Sequence, residues 1–290
     1  MFYRLWSATV LGVNSSIIEI EVDLKKGLPQ QSIVGLPDPA VKEAKERVNS
    51  AIRNSGYNFP LGKLTINLAP ADIKKEGSIF DLAMAIGILA VSDQIEIKQK
   101  IENFIILGEL ALDGFVRPIH GVLSILENAR ETNIHNIILP FNNYKEASLI
   151  SGLCIYPIKY LQDAVQIVSG NEKNIKSTLN SKDDTVKYFH KIKYSKYMGN
   201  EYNEDFSEVR GQNYAVRAAE IAAAGGHNIL LIGSPGSGKT MIASRIPTII
   251  PGMVEKESIE TTKIYSIAGL LPLEEGLINK RPFRAPLLEG

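Results

Sequence analysis

The sequence predicts a mixed α/β protein of two domains joined by a polar linker, and three observations carry that prediction. Strand-like runs alternate with amphipathic stretches through residues 1–168. From 169 to 204 Lys, Asn, Asp, Ser and Tyr dominate and no apolar period survives, which reads as a linker. From 205 to 290 the pattern resumes as a helix, an apolar run and a glycine-rich loop. With 290 residues, 44% of them hydrophobic, the chain can supply a core to each domain.

In the first domain Ile18, Ile20, Val22 and Leu24 alternate with Glu19, Glu21 and Asp23, which makes a half-buried strand with its acids on one solvated face. Ser32–Val34 reads as a short strand. Gly35-Leu-Pro-Asp-Pro39 then turns into a helix, with Asp38 as its cap and Pro39 at its first position. Val41, Ala44, Val48, Ala51 and Ile52 fall on one stripe of that helix, and Gly56 is placed to end it. Phe80–Val91 is apolar or small all round apart from Asp81, as expected of a helix enclosed by protein. Further strands are expected at Leu64–Leu68, Phe104–Ile106, Ile137–Leu139 and Cys154–Ile158.

Composition narrows the function only slightly. Lys plus Arg and Asp plus Glu both total 32, so any nucleic-acid face has to be a local patch. The single cysteine, Cys154, excludes an internal disulfide, and its apolar neighbours predict a buried structural thiol. Met1–Val10 contains Arg4, Trp6 and Ser7 and lacks the apolar core of a secretory signal. No run approaches the roughly 20 apolar residues that span a bilayer, so the expectation is a cytoplasmic protein with no membrane partner.

The sharpest motif is Gly233-Ser234-Pro235-Gly236-Ser237-Gly238-Lys239-Thr240, which fits G-x-x-x-x-G-K-[ST] at every fixed position. The apolar run Ile229–Ile232 is expected to enter it as a strand, and Met241–Arg245 to continue it as a helix. The chemistry needs these residue types. Gly236 and Gly238 let the backbone approach phosphate oxygens, Lys239 brings an ammonium to the β- and γ-phosphates, and the Thr240 hydroxyl can ligate magnesium. ATP with Mg2+ is the expected ligand.

Hydrolysis needs more. An acid at the end of a second strand has to hold the metal and orient water. Of the 50 residues after Thr240, Glu255, Glu257, Glu260, Glu274, Glu275 and Glu289 are acidic, but none ends an apolar strand. This sequence is expected to bind ATP without supplying the hydrolytic acid.

Several strings in order identify a family: Val34-Gly-Leu-Pro-Asp38, Val41-Lys-Glu43, Asn67-Leu-Ala-Pro-Ala71, Lys75-Glu-Gly-Ser78, Gly108-Glu-Leu110, Ala222-Ala-Ala-Gly-Gly-His-Asn228 and Arg281-Pro-Phe-Arg-Ala-Pro286. Over nearly its whole length the chain resembles the magnesium-chelatase-like AAA+ ATPases of the ComM (YifB) group. The resemblance implies a Lon-protease-like α+β domain of the ribosomal protein S5 domain 2-like type, followed by a P-loop AAA+ domain acting as a homo-hexamer. It also implies DNA as a partner, in branch migration during natural transformation. After Arg281–Pro286 that family continues to a histidine pair, an acidic second strand and sensor residues, whereas here Leu287-Leu-Glu-Gly290 follows. Walker B and the sensors are therefore expected outside this sequence.

A Lon-like domain raises the possibility of a Ser–Lys peptidase. In Lon-type proteases the serine follows Lys-Asp-Gly by two residues, and the lysine follows Pro-Ile-Gly-Gly-Leu. The matching stretches here, Lys75-Glu-Gly-Ser-Ile79 and Pro118-Ile-His-Gly-Val-Leu123, put Ile79 and Leu123 at the dyad positions. Neither side chain can attack a carbonyl or accept a proton, and Ser78 lies one position away, so no protease is expected. His120 reads as a turn histidine and His227 as a structural residue before the phosphate loop. Lys187–Tyr197 has a basic-aromatic texture but reads as solvated linker. Two other functions fit the motifs, a non-catalytic partner-binding module and a chelatase-type motor subunit.

Overall fold

The computed structural model describes residues 2–171, 202, 204–272 and 276–285. The Lys187–Tyr197 segment, nearly all of the expected linker, and Glu274, Glu275 and Glu289 lie outside them. Two compact units are formed, Met1–Ile192 with Thr262–Gly276, and Lys193–Thr261 with Leu277–Gly290.

Period-two alternation builds the first unit. β1 (Phe2–Leu11) pairs antiparallel with β2 (Asn14–Lys25) from Phe2↔Asp23 to Leu11↔Asn14, and Gly12 takes the left-handed turn position between them at φ 60°. β3 (Gln30–Val34) runs parallel to β4 (Lys63–Ala69), which pairs antiparallel with β2. On the other side of β1 lie β5 (Phe104–Ile106), β8 (Asn136–Pro140) and β9 (Cys154–Ile158), all parallel. The seven-stranded order is therefore β3-β4-β2-β1-β5-β8-β9. A small hairpin of β6 (Glu109–Leu110) and β7 (Val116–Arg117) stands apart.

Helices close both faces. α1 (Pro39–Asn54) starts where the Asp38 side chain accepts the Val41 N–H at 2.7 Å, and it buries the predicted stripe of Val41, Ala44, Val48, Ala51 and Ile52. α2 (Asp81–Val91) is buried at every residue, as its all-round apolar sequence requires. With α5 (Leu161–Val168), these two helices cover Leu5, Ile20, Val22, Ile66 and Leu68. α3 (Val122–Glu131) and the short α4 (Tyr144–Ala147) cover Ala8, Ile105, Ile137 and Leu139 on the opposite face.

The acidic row of β2 is half-buried and internally matched. Arg4 lies 2.5 Å from Glu19, Asn67 donates to Glu21 at 2.8 Å, and Lys25 sits 3.3 Å from Asp23. Cys154 departs from expectation: it is exposed, because it opens the outermost strand of the sheet, where only one neighbour pairs with it. Among the described residues no helix is long and apolar enough to cross a membrane.

Gly87 brings α2 onto the sheet. A Cβ there would lie 2.6 Å from Val22 Cγ2 and 2.9 Å from Leu5 Cδ1. Gly87→Ala is therefore expected to lower stability by about 1–3 kcal/mol through overpacking, despite a helix-propensity gain of about 1 kcal/mol. The urea midpoint of the full chain reads that loss.

Candidate nucleotide site

In the second unit α6 (Asn213–Gly225) follows a 3-10 turn at Phe206–Glu208 and ends at Gly226, which adopts the left-handed cap at φ 63°. The chain then extends from His227 into the glycine-rich loop. Ile229 and Leu231 turn inward onto a small core of Phe206, Ala219 and Ile242, whereas Leu230 and Ile232 are 81% and 87% exposed. That is strand-like alternation, but no ladder partner pairs with it among the described residues, so the predicted strand at Ile229–Ile232 is not formed. A single extended segment has no neighbour to satisfy its backbone groups.

The loop takes its shape locally. Gly236 and Gly238 lie in the left-handed region, at φ 77° and 84°, where a side chain would be strained. Gly233 faces Ser237, whose Oγ would come within 2.9 Å of a Cβ. α7 (Lys239–Arg245) starts directly after Gly238, whose carbonyl accepts the Ile242 N–H at 3.0 Å, and it includes the predicted helical run. Lys239 folds back over the loop. Its Nζ donates to the Gly233 and Ser234 carbonyls, both at 2.8 Å, and reaches Ser237 Oγ at 3.3 Å. Ser234, Pro235 and Gly236 at the tip and Thr240 at the helix start are exposed to solvent.

The donor set fits a polyphosphate. Three glycines that need no side chain, an ammonium resting on loop carbonyls and an exposed hydroxyl one residue on are what a phosphate cradle with a metal ligand requires. The acids do not join them. Glu255 and Glu257 lie in the first turn of α8 (Glu255–Ile267), and Glu260 follows on the same helix. Glu257 is engaged by Arg281 at 2.7 Å, and Arg281 Nε also holds the Pro251 carbonyl at 2.8 Å. His227 is exposed, with its ring over Gly225 and its N–H bonded to the Ala222 carbonyl at 2.9 Å.

In the first unit the two residues expected at Lon-type dyad positions are apolar and packed. Leu123 is fully buried in the core under α3, and Ile79 is half-buried. Ser78 donates to Glu109, whose other oxygen holds Arg117 at 3.0 Å. Lys75, fully buried, donates to the Pro70 carbonyl, and burial lowers its pKa. Beside them Arg47 grips Asp81 through Nε at 2.9 Å and Nη2 at 3.2 Å. His120 is exposed, with Gly269 packed against its ring. Sequence reasoning missed this polar cluster, because Arg47, Asp81 and Glu109 come together only through the fold.

Residues 20–143 match the family described as subunit ChlI of Mg-chelatase, and residues 205–288 match magnesium chelatase, subunit ChlI. Over 97% of its length the chain is 40% identical to competence protein ComM of Haemophilus influenzae. Over 95% it is 40% identical to YifB of Escherichia coli.

The chain is a ComM- and YifB-like protein of the magnesium-chelatase family.

It covers 53% of the Haemophilus protein and 51% of the Escherichia one, so it spans about half the length of the curated relatives it matches. Lon protease 2 of Bacillus subtilis is 27% identical over 181 residues, 56% of this chain and 32% of that protease. The likeness agrees with the mixed α/β fold of the chain.

The Lys75-Glu-Gly-Ser78 stretch leads into α2 and its buried Asp81, whose titration can be tested. Burial pushes the Asp81 carboxyl from 3.8 up to about 6, against the opposing pull of Arg47 and the Leu110 N–H. The Asp81 hydrogen bond in turn raises the Arg47 pKa. Because the folded state holds the Asp81 proton more tightly than the unfolded chain, its contribution is full below about pH 4 and is lost as pH rises through about 6. Asp81→Asn, which does not ionise, is expected to gain about 2 kcal/mol on the wild type between pH 4 and pH 7. Arg47→Ala should cost about 3 kcal/mol at pH 7 by leaving the carboxylate buried without its partner. Denaturant titrations at the two pH values measure both.

Proposed function

We propose that this chain binds ATP with Mg2+ through Gly233–Thr240, and that it serves a cytoplasmic AAA+ motor of the ComM type acting on DNA as a hexamer. The observation that carries the reading is the Lys239 ammonium resting on the Gly233 and Ser234 carbonyls, beside two left-handed glycines. From that position its flexible stem can carry the ammonium from the loop carbonyls to a phosphate oxygen held by the same loop. The amides around Gly236–Gly238 would hold the phosphates, and the Thr240 hydroxyl would hold the metal. Bound Mg2+ would supply neutralisation of charge on the β- and γ-phosphates. No described acid faces this loop from a strand end, so the chain is proposed as the nucleotide-binding part and not as a complete ATPase.

The DNA and hexamer parts rest on family resemblance and on the name of the Haemophilus relative, a competence protein. The first domain is proposed as a scaffold or partner surface, since Ser78, Lys75 and Leu123 are committed elsewhere.

Calorimetric titration with ATP and Mg2+ tests the nucleotide reading. Lys239→Ala is expected to weaken binding by about 10- to 100-fold, the worth of a hydrogen bond to a charged group. Thr240→Ala should remove the benefit of adding Mg2+ while leaving metal-free binding nearly unchanged. Equal, negligible binding by wild type and Lys239→Ala would leave only the partner-binding module.

A further inference from the structure

The segment after the phosphate loop carries a buried polar contact that nucleotide binding does not use. Thr262–Gly276, which takes in the end of α8 and the residues following it, is grouped with the first unit. There Ser266, 3% exposed, donates to Glu146 Oε1 and accepts the Gly121 N–H at 2.9 Å. Glu146, also buried, accepts the Leu123 N–H at 3.2 Å. Asn143 pins the same stretch, exchanging hydrogen bonds with both backbone groups of Ile119 at 2.9 Å. The fit is close: a Cβ on Gly121, itself at φ 74°, would lie 3.3 Å from Ile267 Cγ1. At the rim Lys263 Nζ meets Glu127 at 2.7 Å.

We propose that Ser266, Gly121 and Glu146 form a releasable latch that docks the chain's own segment Thr262–Pro272 onto the start of α3. Two features make it releasable where the apolar seams of α1 and α2 are not. The contact is polar, so water can replace each partner once it opens. A cavity of about 210 Å³, bounded by His120, Asn142, Glu146, Gly269 and Pro272, lies beside it and admits that water. Burial raises the Glu146 pKa above the usual carboxylate value, against the hydrogen bonds from Ser266, Leu123 and Asn143 that lower it. The latch is independent of the nucleotide reading, and its test uses no nucleotide.

Hydrogen exchange of the full chain, read by mass spectrometry, decides it. In the wild type, peptides over Gly121–Glu127 and Thr262–Ile267 are expected to exchange by local opening, faster than α2. Ser266→Ala should speed both peptides by about 10- to 100-fold. Lys263→Ala, which alters only the rim, should speed them by about two- to fivefold, and α2 should stay unchanged in both variants. The proposal is overturned if Ser266→Ala leaves both peptides at wild-type rates, or if the rise extends equally to α2 and the central strands. Exchange of the two wild-type peptides only through global unfolding would overturn it too.

Discussion

Enclosure of α2 is the constraint on which the first unit depends. A helix apolar on every side has no stable place except between layers, so one face of the sheet, with α1 and α5, has to surround it. Gly87 sets how closely it approaches β1 and β2. Asp81, at its first turn, is carried into the interior with it, and the side chain survives there only because Arg47 and the Leu110 amide meet it. The rest follows from that placement. Ser78, just before the helix, is drawn to Glu109, and Glu109 to Arg117, so the start of α2 is closed by hydrogen bonds and ion pairs.

The second unit obeys a different logic. Its loop owes its shape to two left-handed glycines and to a lysine that binds carbonyls five and six residues before it, contacts that need no sheet. The extended segment feeding the loop shows what the sheet would add. Ile229 and Leu231 find a core, whereas Leu230 and Ile232 point to solvent and no strand pairs beside them among the described residues. A glycine-rich loop can thus take its shape without a paired strand before it, because backbone turns are local and ladders are not.

Elements with a strong period were legible in the sequence. The stripe of α1, its Asp38 cap, the enclosed α2 and the alternation of β2 and β4 each rest on residues close in sequence. β1 was hidden because Arg4, Trp6, Ser7 and Thr9 break its apolar pattern, and it read only as the absence of a signal peptide. α3 went unseen because it starts inside a stretch read for its motif, and the β6–β7 hairpin because two-residue strands carry no period. Cys154 was misjudged, since apolar neighbours do not reveal that a strand lies at the edge. In the candidate site the loop residues were legible, as a contiguous motif. Arg47 with Asp81 and Glu146 with Ser266, separated by 34 and 120 residues, were not, because only the tertiary fold brings them together.

In the proposed function the second unit binds nucleotide while the polar cluster of the first takes no part. The decisive observation is the amide spectrum of the phosphate loop, recorded by 15N NMR on the full chain as ATP and Mg2+ are added. The account predicts large, saturable shifts at Gly236, Gly238, Lys239 and Thr240, with Ser78 and Asp81 unmoved. Loop resonances that stay in place at millimolar ATP would contradict it.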